Sequence, residues 1–395
     1  MSPSPQTSHD PGIARMVPFN KSIFDTMTTQ AARYDAINLG QGYPDHSGPE
    51  SMLQMACEQI TAGNNQYAPP RGVAALREAI ARERNVRYDA NITADNVLVT
   101  VGATEAIAAS VLGLVEPGDE VIVFEPYYDA YAASIALANG TRVAVALHLD
   151  TETGHWDIDR EALAAAVTDK TVAIMVNNPH NPTGSVFSEQ GLKALADIAI
   201  DNDLWVIADE VYEHLIFDSH HTPIAGLPGM RERTITISSA AKTFCVTGWK
   251  TGWAIAEPPL LNALARAKQY LSFVGTTPTQ PAIAYALNNE QDWITDMVHG
   301  LEERKNHLRA VLSEIGFTVY DSQGTYFLLV DVASKGFEDG MDFCMRLPEI
   351  AGVAAIPAAA FCDDPELCRT LVRFAFSKSD ASIDEAARRL RAAFA

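Results

Sequence analysis

Two lysines eight residues apart, Lys242 and Lys250, stand in the stretch TITISSAAKTFCVTGWKTGWAIA over residues 234–256. Apolar and β-branched runs at 234–237 and 253–255 flank a loop of small polar residues, which predicts strand, loop, strand. Ser238, Ser239 and Gly248 supply hydroxyls and pliable backbone around the two amines, chemistry suited to a phosphate. Lys242 has small neighbours that leave its amine approachable. A lysine that forms an imine with a carbonyl must be reachable and partly neutral, which a desolvated pocket with a second cation nearby promotes. Two solvated loop lysines would give the same pattern, so the rest of the chain decides.

The fifth of seven apolar runs, LWVIA, leads into Asp209-Glu210-Val211-Tyr212. A carboxylate closing an apolar strand needs a cationic or protonated partner, because an unpaired buried charge is costly. A protonated ring nitrogen would satisfy Asp209, and Tyr212 could then reach a phenolic oxygen of the same ring. Gly102-Ala103-Thr104 makes a tight turn into an Ala-rich helix, whose free N–H groups suit a phosphate dianion, though many strand-to-helix turns look alike. Tyr128, in EPYYDAY, offers a stacking face or is simply a core tyrosine. Asn177 and Asn181, in NNPHNPTG, present turn-fixed amides, with His180 between them read as a turn residue and not a base. A phosphate cradle, a stacking face, partners for a ring nitrogen and a phenolate, and an imine-forming lysine together fit pyridoxal 5'-phosphate.

These residues need a scaffold that gathers strand ends. Runs at 97–101, 121–124, 143–146, 172–176, 204–208, 234–237 and 253–255 are separated mostly by helical stretches, which predicts an α/β fold. Its sheet is seven-stranded, mostly parallel and covered on both faces, in three layers. Ligands of such sheets sit at the strands' carboxyl ends. The last third changes character: a charged amphipathic helix over 293–315, short strands at 317–320, 325–330, 353–356 and 371–376, and a closing helix from Ser382 predict a smaller α+β domain. The expected division is an N-terminal arm and helix over 1–40 that contributes to the small domain, a large cofactor-binding domain over 41–285, and the small domain over 286–395. A mobile arm is expected over 1–12.

With 29 basic and 50 acidic residues the net charge is −21, which disfavours nucleic acid and anionic membranes. No run suggests a signal peptide or membrane span, so a cytoplasmic protein is expected. Cysteines 57, 245, 344, 362 and 368 show no CxxC spacing, so neither a disulfide framework nor a metal site is indicated.

The chain resembles the class I/II pyridoxal-phosphate aminotransferases of fold type I over nearly its whole length. NLGQGYPD, NQYAPPRGVAALREAIA, TVGATEA, EPYYDAY, NPHNPTG, ADEVYEH, SSAAKTFCVTGWKTGW and VRFAF carry the resemblance, in order. It implies that Lys242 is the Schiff-base lysine, that Asp209 partners the pyridine nitrogen, and that Tyr212 and Asn181 bond the phenolic oxygen. Tyr128 would stack on the ring, and Gly102, Ala103, Thr104, Ser239 and Lys250 would hold the phosphate. Tyr67 would reach that phosphate from the second subunit of a homodimer with shared active sites. Arg373 resembles the α-carboxylate anchor, with Gly40 and Asn177 nearby; a structural ion pair is the other reading of a charge set in an apolar strand.

Lysine at 250, where much of the family has arginine, points to the kynurenine, glutamine and methionine aminotransferase branch. Within it TVGATEAIAASVLGLVEPGDEV, ERTITISSAAK, GVAAIP and LVRFAFSK are most similar to the actinobacterial N-succinyldiaminopimelate aminotransferases. The activity so implied moves an α-amino group between an amino acid and a 2-oxo acid. N-succinyl-LL-diaminopimelate and 2-oxoglutarate form the leading pair, ahead of kynurenine, glutamine or methionine as donor, or a carbon–sulfur β-lyase on the same cofactor. Gly275 stands where some branch members carry a bulky aromatic, which would either leave room for a long donor or simply suit a turn.

Overall fold

The structure is a computed structural model that describes residues 12–19 and 22–394. The arm expected over residues 1–12 therefore lies outside the described residues, apart from Gly12. All seven expected apolar runs form strands of one sheet: β1 (Val97–Thr100), β2 (Glu120–Glu125), β3 (Thr141–Ala146), β4 (Thr171–Asn177), β5 (Trp205–Asp209), β6 (Thr234–Ser239) and β7 (Gly252–Ile255). Their order across the sheet is β1-β7-β6-β5-β4-β2-β3. All pairings are parallel except those of β7, which runs against both β6 and β1.

The near-continuous apolar runs follow from burial on both sides. In β4, Ala173 and Met175 pack in one cluster with residues of helices Gly102–Leu114, Asp129–Leu137 and Pro258–Leu271. Ile174 and Val176 face the opposite way, into a cluster with helix Glu189–Asp201. Ser188 caps that last helix by accepting from the Gly191 N–H, the usual service of a serine at this position.

The register brings one edge of the sheet into line. Asn177 pairs with Asp209, Asp209 with Ile237, and Gly252 with both Ser239 and Thr100. Strand ends as far apart in sequence as Thr100 and Gly252 thus share one rim.

A second, antiparallel sheet contains β8 (Thr318–Tyr320), β9 (Phe327–Asp331), β10 (Ile356–Pro357) and β11 (Leu371–Ala375), in the order β8-β9-β11-β10. Helices Ile23–Arg33, Gln291–Glu314, Gly340–Ala351 and Asp380–Phe394 share its core. The run expected as one strand over 353–356 is divided between partners: Val353–Ala354 pairs with Ile37–Asn38, and β10 with β11. Pro357 has no N–H to extend a ladder. Among the described residues no helix is long and apolar enough to cross a membrane.

Candidate active site

Asp209 ends β5 with its side chain buried. Tyr131, from helix Asp129–Leu137, donates its hydroxyl to Asp209 Oδ2 at 2.6 Å, and the Val211 N–H donates to Oδ1 at 3.3 Å. Burial nonetheless pushes this carboxyl up to about 6, against those two hydrogen bonds and the nearby Lys242 charge. Desolvation wins because neither hydrogen-bond donor is a cation.

Lys242 sits in a short helical turn, Ala240–Thr243, directly after β6. Its Nζ donates to the Tyr326 hydroxyl at 2.7 Å, and Tyr326 in turn donates to the Gly42 carbonyl. The amine lies 5.6 Å from the centre of the Tyr212 ring and 5.3 Å from that of Tyr326. Those two rings meet edge to face at 5.4 Å.

Opposite Asp209 lies the start of helix Gly102–Leu114, which has no side-chain cap. The first N–H groups of an uncapped helix have no internal partner and carry the positive end of its dipole. Gly102 adopts φ +71°, and a Cβ there would come within 3.2 Å of Lys250 Nζ. A Cβ on Gly252 would meet the Ala103 amide nitrogen at 2.7 Å. Glycine at both positions lets β7, the Lys250 amine and the helix N-terminus crowd onto one spot, with Ser239 beside them.

Arg373 projects from β11 and is 1% exposed. Its Nη1 donates to Asn181 Oδ1 at 2.7 Å and its Nη2 to the Gly40 carbonyl at 2.8 Å, while Nε is buried without a partner. The guanidinium carbon lies 3.9 Å from the centre of the Phe327 ring. No carboxylate among the described residues forms an ion pair with it, so the structural ion pair left open by the sequence is not found. Burial lowers its pKa to about 10. A buried guanidinium held only by neutral acceptors and rings favours an incoming carboxylate.

These groups line one cavity of about 280 Å³, close to the lower end of the range for small-molecule sites. Gly102, Ala103, Thr104, Tyr128, Asn177, Asn181, Asp209, Tyr212, Ser239, Lys242, Lys250 and Arg373 all face it. Gly40 stands behind it, reaching it through Arg373. Tyr67 lies apart: it is 80% exposed, with its ring edge against Phe273 at 5.4 Å. Asn177 has both ends of its amide occupied, donating to the Asp209 carbonyl at 2.8 Å and accepting from the Asn181 N–H at 2.7 Å. It therefore pins the tips of β4 and β5 to the turn after them. His180 is fully buried, bonds Thr183 at 2.8 Å and is pushed down to about 3 by burial, consistent with a neutral turn residue. A Cβ on Gly275 would sit in ordinary contact with Thr100, Gln280 and Val101 at 3.8–3.9 Å, and Gly275 does not line the cavity.

Tyr131, Tyr326, Gly42, Gln41, Phe24 and Phe327 belong to the site or its walls and were not singled out from the sequence. Nor was the ion network beneath it. Arg84, from helix Ala74–Tyr88, reaches Glu210 at 2.9 Å and also Glu213, and all three are buried. The acids flanking Tyr212 are thus both paired with Arg84 away from the cavity, which fixes the loop that carries it.

Comparison with known proteins places the chain among relatives of one family. A family model described as aminotransferase class I and II matches residues 34–390. The probable N-succinyldiaminopimelate aminotransferase DapC of Mycobacterium tuberculosis strain H37Rv is 50% identical, the match covering 96% of this chain and 97% of that one. The methionine aminotransferase of Escherichia coli K12 is 38% identical, with 94% and 95% covered. The solved structure of N-succinyldiaminopimelate aminotransferase from Mycobacterium tuberculosis superposes with a TM-score of 0.94 at 51% identity, covering 96% of this chain and 99% of that one.

Proposed function

The chain belongs to the class I and II aminotransferases, and from that premise we propose that it moves an α-amino group from an N-succinylated diamino acid, N-succinyl-LL-diaminopimelate, to 2-oxoglutarate. The 50% identity to a relative named for that donor supports this choice, and the 38% identity to a methionine aminotransferase makes methionine the second candidate. One observation carries the reaction class: a single cavity joins Lys242, a buried Asp209, an uncapped helix start beside Lys250, and an Arg373 without a carboxylate.

That inventory fits pyridoxal 5'-phosphate. When bound, this group supplies an aldehyde that joins the donor's amine and a ring that draws electrons from the donor's Cα. Asp209, held by Tyr131, keeps a ring nitrogen protonated, and such a cation offsets the charge that burial penalises there. The N–H groups of residues 102–104, Ser239 and Lys250 take the phosphate. Asn181 gives its Oδ1 to Arg373 and keeps Nδ2 free to donate, with Tyr212, to the phenolic oxygen. Tyr128 stacks on the ring. Arg373 would grip the donor's α-carboxylate, and Lys242 Nζ would serve as the base that takes the proton from the donor's Cα and holds it for return. A second copy of the chain completes the site, with Tyr67 reaching the neighbour's phosphate.

Borohydride treatment in the presence of pyridoxal 5'-phosphate should add the reduced cofactor's mass to Lys242. Lys242→Ala should neither trap it nor produce glutamate from N-succinyl-LL-diaminopimelate and 2-oxoglutarate. Trapping elsewhere, or turnover by the alanine variant near the wild-type rate, would refute the proposal.

A further inference from the structure

The hydrogen bond on Lys242 has a direction that its neighbours impose. Tyr326 has one hydroxyl proton, and the Gly42 carbonyl, which can only accept, takes it. Burial pushes the Tyr326 hydroxyl up from its ordinary value, so that proton stays in place at neutral pH. What the phenol has left for the amine is lone-pair density, and Lys242 Nζ donates into it at 2.7 Å.

The far end of this relay is also fixed. A Cβ on Gly42 would come within 2.6 Å of Phe327 Cζ, so the backbone there is pressed against the ring that also lies under Arg373. Tyr326 and Phe327 are consecutive in sequence and meet edge to face at 4.7 Å. The acceptor for the phenol proton thus cannot move without displacing the wall of the Arg373 site.

We infer that Tyr326 is a positioning residue for Lys242: it holds the amine by an N–H and cannot donate to it, so the lone pair stays turned to the cavity. A donating hydroxyl at the same distance would cap that lone pair and blunt the base. The inference rests on the proposed role of Lys242 in proton transfer, and adds to it a reason why the neutral amine stays aimed and uncapped once it is free.

Tyr326→Phe removes the hydroxyl and keeps the ring with its edge contacts to Tyr212 and Phe327. The kcat should fall about 10- to 100-fold with the donor KM within about twofold, since the lost hydrogen bond acts on the proton-transfer step. The isotope effect with a donor deuterated at Cα should rise. A second readout needs no cofactor: in spectra of protein labelled with ζ-15N lysine, the Lys242 signal, assigned by its absence from Lys242→Arg, should show slowed N–H exchange in wild type and lose it in Tyr326→Phe. A phenylalanine variant whose kcat stays within twofold, or whose Lys242 protons remain protected, overturns the inference. Failure of the wild-type chain to transaminate any donor would instead overturn the proposed function, and the cofactor-free spectrum would still judge the Tyr326 contact alone.

Discussion

In the cofactor-free protein Asp209 is a liability whose size follows from its surroundings. Its carboxyl is raised from 3.8 to about 6 by burial, with only Tyr131 and the Val211 N–H to offset the loss of water. At about 1.4 kcal/mol per pH unit this corresponds to about 3 kcal/mol. Because the folded value lies above the unfolded one, stability from this group is intact below pH 3.8 and is lost as the pH rises through about 6. Asp209→Asn carries no such loss. Its amide can still accept from Val211 and donate to the Tyr131 oxygen, but the Tyr131 hydroxyl proton then loses its acceptor, which offsets part of the gain. The cofactor-free asparagine variant should therefore be more stable than wild type at pH 8 by at most about 3 kcal/mol, or about 4 °C in unfolding midpoint. Most of that difference should develop between about pH 4 and pH 6. Saturating pyridoxal 5'-phosphate should narrow or reverse the order, since a ring cation offsets the buried charge of aspartate and gives asparagine little. Unfolding followed by circular dichroism at about pH 4.5 and pH 8, with and without cofactor, measures all four cases. A cofactor-free asparagine variant no more stable than wild type at pH 8 would show that Asp209 already has a partner within the protein.

Arg373→Lys leaves a cation in place but loses the planar fork that bonds Asn181 and Gly40 while facing the cavity. The donor KM should rise about 10- to 100-fold with a smaller change in kcat, and an unaltered KM in steady-state assays would move the carboxylate anchor elsewhere. Tyr67 is 80% exposed and lies beside Phe273, with Tyr270 89% exposed nearby in sequence. Sedimentation equilibrium should accordingly return about twice the 42.8 kDa chain mass, and Tyr67→Phe should weaken cofactor binding several-fold without dissociating the pair; a monomer with full activity would contradict both.

The sequence made the sheet and half of the site legible because burial leaves a signature in residue order. Apolar runs without alternation, such as those at 121–124 and 172–176, pointed to strands covered on both faces, and a carboxylate at the end of one run, Asp209, declared an unmet electrostatic need. Arg373 stood out for the matching reason, as a charge amid Leu371, Val372 and Phe374. What stayed hidden depends on docking between distant elements. Tyr326 is 84 residues from Lys242, and Arg84 is 126 from Glu210, so neither pairing leaves a local trace. Tyr131 could have been found: it lies in the first turn of the helix that Tyr128 precedes, and the two rings meet edge to face at 5.8 Å. Asn177 was read as an amide facing a ligand; it lines the cavity, and what the sequence did not show is that its amide also holds strand tips together. The split of the run at 353–356 depended on Ile37–Asn38, a partner more than 300 residues earlier.

The reversed direction of β7 has a consequence for how such a protein can change. The chain visits the catalytic rim twice within fourteen residues, leaving β6 at Ser239 and entering β7 at Gly252, and the segment between is laced to the sheet at both ends. Both amines ride on that one tethered span. Displacement of the helices, the outer loops or the second sheet would leave the two ends of that span paired to each other through the ladder.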